Sequence, residues 1–209
     1  MQYPTSKSET VADGIIHAIS ITIGVIGAIW LWNYLPMWRS TEMSWAVGAY
    51  IVIMVSAFVI SGVYHMTPIS ELRVKLRRAD HGMIFLRIAS SQTPLIMMIN
   101  TPFAYTVLVG VWIVAMYGFV QKLFFWQGVG GSSIKLYFAM SSAMFLLIWQ
   151  MWINLDHNAL WLILIGGAVY AIGALIYSRK DMSYRYPVWH IFATSASAAF
   201  FFAIVIAIH

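Results

Sequence analysis

The chain is 209 residues long, 61% hydrophobic, 16% aromatic and only 9% charged, with twelve Lys and Arg against seven Asp and Glu. A soluble domain runs roughly 45–50% apolar and about 25% charged, so a water-soluble enzyme and a disordered chain are both excluded, leaving a polytopic membrane protein. The absence of cysteine removes disulfides, thiolate catalysis and Cys-zinc sites, and the net charge of +5 comes with no basic, aromatic-interleaved face outside the apolar stretches, which excludes nucleic acid as a partner.

A spanning helix needs about 20 mostly apolar residues. Seven stretches qualify, and the predicted class is an all-α, seven-transmembrane-helix bundle forming one domain over 1–209, with no internal repeat. Ahead of them lies a short polar segment, 1–13; its first ten residues lack the basic start and short apolar run of a signal peptide. The first span, 15–35, carries His17 near its start, and the second, 44–65, ends on His65. The third, 81–99, opens on Asp80 and His81, where Asp80 is a candidate N-cap. Asn100-Thr101-Pro102 makes a tight turn into the fourth, 103–121, with Pro near a helix start. Gly128, Gly130, Gly131, Ser132 and Ser133 mark the break before the fifth, 136–153. The sixth is 158–177, and the seventh, 188–208, opens near His190.

The basic residues orient this bundle. Lys7, Arg73, Lys75, Arg77, Arg78, Lys122, Lys135, Arg179, Lys180 and Arg185 fall on the N-terminal side, against Arg39 alone on the other, with Arg87 inside the third span. Positive loops stay in the cytoplasm, so the N-terminus is expected inside and His209 outside. Trp32, Trp38, Trp45, Trp152 and Trp161 fall near the expected outer ends, where amphipathic rings prefer the interface. A cell membrane, most simply a bacterial inner membrane, is the expected location.

Ionisable groups inside a membrane are costly and mark function. Because alternate spans run in opposite directions, His17, His65, Asp80, His81 and His190 share one depth at the cytoplasmic end, with Glu9 and Asp13 in the same layer. Capping and interfacial contact are the bland reading of such a layer; a shared site is the sharp one. Ser61 and His65 are four residues apart and share a helical face, which lets the hydroxyl orient a water or a substrate carbonyl, or simply bond back to its own helix.

The same residues carry a family resemblance. Glu9 to His17 (E-T-V-A-D-G-I-I-H), Ser61-Gly62-Val63-Tyr64-His65, Asp80-His81 followed by Ile84-Phe85, Ile88-Ala89 and Thr93-Pro94, and Trp189-His190 followed by Phe192 resemble, in order, the motifs of hemolysin III proteins. That family is similar to the progestin and adipoQ receptors and to alkaline ceramidases. The resemblance implies a zinc ion near the cytoplasmic face, held by three histidines beside a Ser and an Asp. His65 and His190 match two ligands, Asp80 the acid and Ser61 its hydroxyl partner. The sequence departs from the pattern at Tyr186, where a ligand histidine is usual, at Phe200, and at Ser90-Ser91-Gln92 in place of Gly-Thr-Tyr. With Pro187 at the first helical position, Tyr186 is expected at or before the cap.

Three arrangements could replace the absent histidine. Asp80 could ligate beside His65 and His190, His17 could supply the third nitrogen, or the metal could be lost with Arg87 paired to Asp80. The alternative for Arg87 is snorkelling to the interface. Three functions follow: a zinc-dependent hydrolase of membrane lipid amides or esters, with Asp80 and Ser61 catalytic; a channel or pore-forming cytolysin; and a non-catalytic sensor of lipid state.

Overall fold

The computed structural model describes residues 4–34, 40–126 and 131–208. Trp38, Arg39, Gly128, Gly130 and His209, on which parts of the orientation and loop readings rest, lie outside the described residues. The elements are α1 (Lys7–Tyr34), α2 (Thr41–Met66), α3 (Glu71–Ile99), α4 (Pro102–Phe124), α5 (Gly131–Ser142), a 3₁₀ segment (Ala143–Leu147), α6 (Ile148–Asn154), α7 (His157–Tyr177) and α8 (Arg185–Ile208). Among the described residues there is no strand. Seven helical stretches are long and apolar enough to cross a membrane, the fifth being the composite of α5, the 3₁₀ segment and α6. Nothing in Ala-Met-Phe-Leu-Leu explains the tighter winding there.

Several helices begin well before their apolar runs, because local capping sets the start. Ser6 and Glu9 form a reciprocal capping box: the Ser6 backbone N–H donates to Glu9 Oε2 at 3.1 Å, and the Glu9 N–H to Ser6 Oγ at 3.3 Å. Residues 7–13 are therefore helical. Ser70 caps α3 by accepting from the Arg73 N–H. Asp80 thus sits ten residues into α3, which corrects the expectation that it caps the span. The turn at 100–102 is as expected: Asn100 takes the left-handed conformation that Asn tolerates, Thr101 caps α4, and Pro102 is its first residue.

Consecutive spans pack side by side, and α1 meets α8 to close the ring. Helix α3 touches α2, α4, α5, α6 and α8 and is the most buried span. Gly118 makes the α3–α4 approach possible, since a Cβ there would lie 2.4 Å from the Phe85 ring. Elsewhere the outward faces are apolar, as along Val11, Ile15, Ile19, Ile23 and Ile26 of α1.

The interior is divided by depth. The larger apolar cluster draws on the first turns of α2 (Val47, Tyr50, Met54), the end of α3 (Leu95, Ile96) and the end of α8 (Ile204, Ile208). All of these lie toward the end remote from the N-terminus. The end nearer the N-terminus buries Asp13, His17, Ser20, His65 and His190 instead.

Candidate metal centre

Three helices build the site. Asp13 and His17 are four residues apart on α1 and share its inward face. His65 ends the buried face of α2, and His190 lies in the second turn of α8. Each of the four is at most 8% exposed. Ser20 Oγ and Thr194 Oγ1, 2.7 Å apart, tie α1 to α8 one turn beyond the histidines.

Asp13 is the hub. Its Oδ2 lies 2.7 Å from His65 Nδ1 and its Oδ1 2.7 Å from His190 Nδ1. An ionised carboxylate can only accept, so both Nδ1 atoms donate and each Nε2 keeps its lone pair. His17 Nε2 is 3.7 Å from Asp13 Oδ1 and has no hydrogen-bond partner, although it is buried. The ring centroids are 4.2 Å apart for His17 and His190, 4.5 Å for His65 and His190, and 5.1 Å for His17 and His65.

These residues fit a metal ion. One donor atom from each of Asp13, His17, His65 and His190 lies within 4.8 Å of the other three. Tetrahedral zinc with bonds of about 2.0–2.1 Å holds its ligands roughly 3.3 Å apart, so the donors would close in by up to about 1.5 Å around an ion. The orphaned His17 nitrogen is costly to bury unless something engages it. Three imidazole nitrogens form a borderline-soft donor set suited to zinc, with Asp13 as the carboxylate behind two of them.

Of the residues singled out from sequence, the structure brings His17, His65 and His190 together. It adds Asp13, which the sequence reading placed in the same layer without making it a ligand. The missed signal was its spacing of four from His17. Asp80 stands beside the four rather than among them. Its carboxylate is 3.4 Å from His81 Nδ1, interacts with Ser61, and lies within electrostatic reach of His17, His65 and His190.

Tyr186 is not ahead of the cap. Helix α8 starts at Arg185, so Tyr186 is in its first turn, with its ring 5.3 Å from that of His65. Tyr184 holds the preceding left-handed position, with φ 56°, and its N–H donates to Glu9 Oε1 at 2.7 Å, joining the starts of α1 and α8. Arg73 covers the other exit: its Nη1 donates to the carbonyls of Tyr64 and His65 at 3.0 and 3.1 Å and to that of Thr67, closing the end of α2. Arg87 neither pairs with Asp80 nor reaches for the interface. It turns inward to Ser197 and the Ala193 carbonyl of α8.

The chain matches the family model described as haemolysin-III related over residues 5–204. It is 26% identical over 198 residues to "Hemolysin-3" of Bacillus cereus, covering 94% of this chain and 90% of that protein. It is 25% identical over 201 residues to the "Hemolysin-3 homolog" of Bacillus subtilis (strain 168), covering 94% of this chain and 93% of the relative.

Proposed function

Because the chain belongs to the haemolysin-III related family and is a multi-pass bacterial membrane protein, we propose that it is a zinc-dependent hydrolase acting on amide or ester bonds of membrane lipids. The observation that carries this reading is the buried Asp13–His17–His65–His190 group with Asp80 and Ser61 beside it. His17, His65 and His190 would hold zinc, with Asp13 behind two of the rings, and zinc when bound would supply Lewis acidity toward a carbonyl and lower the pKa of a water.

The protein's own groups do the rest. Asp13 fixes the ring orientation and tautomer of His65 and His190, a role that keeps metal-binding imidazoles aimed. Asp80 accepts the proton of the attacking water and returns it to the leaving amine or alcohol. Ser61 donates to the substrate carbonyl or to Asp80, one turn deeper than His65. With the N-terminus in the cytoplasm, the site lies one to two turns inside the cytoplasmic interface. An acylated lipid can present its headgroup linkage there while its chains remain in the bilayer.

The experiment is metal content per chain in the purified protein, with lipid hydrolysis assayed in the same preparation. About one zinc per chain and release of fatty acid from a ceramide or phospholipid are expected. A metal-free wild-type protein would overturn the reading. Membrane permeabilisation, suggested by the names of the Bacillus relatives, is the second reading. Ion flux through reconstituted liposomes separates the two, since a hydrolase leaves vesicles sealed before lipid is consumed.

A further inference from the structure

Seven residues beyond several members of the layer around the metal centre lies a second layer. His17 leads to Gly24, Asp80 to Arg87 and His190 to Ser197; on the helices running the other way, His65 leads to Phe58 and Tyr177 to Tyr170. At 1.5 Å per residue this layer is about 10 Å deeper in the bundle. Its members meet: the Arg87 guanidinium lies over the Phe58 ring at 4.5 Å and near that of Tyr170 at 5.9 Å, while Tyr170 Oη is 3.2 Å from Ser197 Oγ.

Arg87 is a permanent cation here, and none of the described acidic residues pairs with it. Its hydrogen bonds go to neutral oxygens, Ser197 Oγ and the Ala193 carbonyl at 3.4 Å. Two aromatic faces offset part of the cost of burying the charge, but a guanidinium deep in a bilayer protein ordinarily has a counter-charge. Tyr50 makes the second observation. It is 2% exposed, its hydroxyl has no hydrogen-bond partner, and it lies within electrostatic reach of Arg87 and Tyr170. An unmatched cation and an unmatched donor thus lie within electrostatic reach of each other, Tyr50 about two turns before Phe58 on α2, and none of the described acidic residues pairs with either.

We infer that Arg87, Ser197, Tyr170 and Tyr50 form a receptor for a carboxylate, distinct from the metal centre and independent of the hydrolase reading. The planar guanidinium fork matches a carboxylate bidentately, and the Tyr50 hydroxyl supplies a further donor, while Ser197 donates to the Ala193 carbonyl and holds the fork and the Tyr170 hydroxyl by accepting from them. The carboxylate can come from a fatty acid entering from the bilayer or from a short aqueous acid. Apolar walls such as Phe58 favour the fatty acid, which brings its own hydrocarbon.

The test is thermal unfolding of the full-length protein in nanodiscs, titrated with decanoate and, separately, with acetate. Decanoate is expected to raise Tm by about 5 °C near a hundredfold excess over its Kd, and acetate to leave it unmoved. A shift with acetate as well would support the carboxylate site and assign it an aqueous source. Arg87→Met should abolish the decanoate shift. Arg87→Lys, which keeps the charge without the fork, and Tyr50→Phe, which removes one donor, should each weaken binding about tenfold. No shift in the wild type, or an undiminished one in Arg87→Met, would overturn the inference. Unchanged affinity in both Arg87→Lys and Tyr50→Phe would overturn it too, should Arg87→Met fail to fold. Zinc content plays no part in this readout, so loss of the hydrolase reading leaves it standing.

Discussion

His190 donates through Nδ1 to Asp13 Oδ1 at 2.7 Å across 177 residues of chain, and the same carboxylate accepts from His65 on its other oxygen. One short side chain thereby fixes two imidazoles on two other helices. Among the described residues the carboxylate has no charged partner apart from these rings and His17, so its burial depends on the histidines as much as their aim depends on it.

Asp13→Asn is expected to weaken zinc affinity by about 10–100-fold, the usual cost of removing an outer partner of metal-binding histidines. Asp13→Ala should lower affinity at least as far and lower Tm as well, because two buried Nδ1–H groups lose their acceptor. Zinc titration against a competing chelator measures the first effect and thermal unfolding the second. Equal zinc affinity in wild type and Asp13→Asn would remove Asp13 from the centre.

The ring of Tyr186 stands 5.3 Å from that of His65, in the first turn of α8. A histidine there would stand beside His65, on the same helix as His190. His17→Ala is expected to lose metal, and Tyr186→His placed in that background to recover it. Metal analysis of the single and double variants decides this, and a double variant as empty as His17→Ala would count against it.

Asp80 borders the four donors without joining them, so binding and turnover should separate there. Asp80→Asn is expected to keep about one zinc per chain while hydrolysis falls by roughly 10²–10⁴-fold, the range of general acid–base assistance. Loss of zinc in this variant would make Asp80 a ligand instead.

A Cβ on Gly62 would meet Ile21 Cδ1 at 3.1 Å and His17 Cβ at 3.4 Å. Gly62→Ala asks only for a small shift of a flexible Ile21 side chain and should keep the metal. Gly62→Leu should drive α1 from α2, costing about 1–3 kcal/mol by overpacking, and reduce zinc content without loss of helicity. Circular dichroism with metal analysis on both variants checks the contrast.

The bundle was legible because membrane spans announce themselves by length and apolar content, and the turn at Asn100-Thr101-Pro102 by its residue types. Helix starts were less so, since an apolar count stops where charge begins. Ser6 with Glu9 and Ser70 with Arg73 continue α1 and α3 into polar sequence through backbone hydrogen bonds. Asp13 escaped notice as a member of the cluster for a related reason. In water an apolar stripe marks the inward face of a helix, but α1 buries Asp13, His17, Ser20 and Gly24 and turns isoleucines outward. Its signal is a polar stripe, visible only when the spacing from Asp13 to His17 is read as Ser61 to His65 was. No spacing along one helix reveals that Arg87 crosses to α8 instead of meeting Asp80.

The closure of α1 against α8 also sets a schedule for biogenesis. Asp13 and His17 enter the membrane first of the four clustered residues, and His190 comes on the last span, with five spans between. During synthesis the early carboxylate and imidazole must wait in the bilayer, or in the insertion machinery, without their partner from α8. Metal capture by the full set, on the proposed function, would therefore be a late event that reports completion of the polypeptide. A ribosome stalled before α8 leaves an unfinished site, and zinc loading would then serve as a readout of how far insertion has gone.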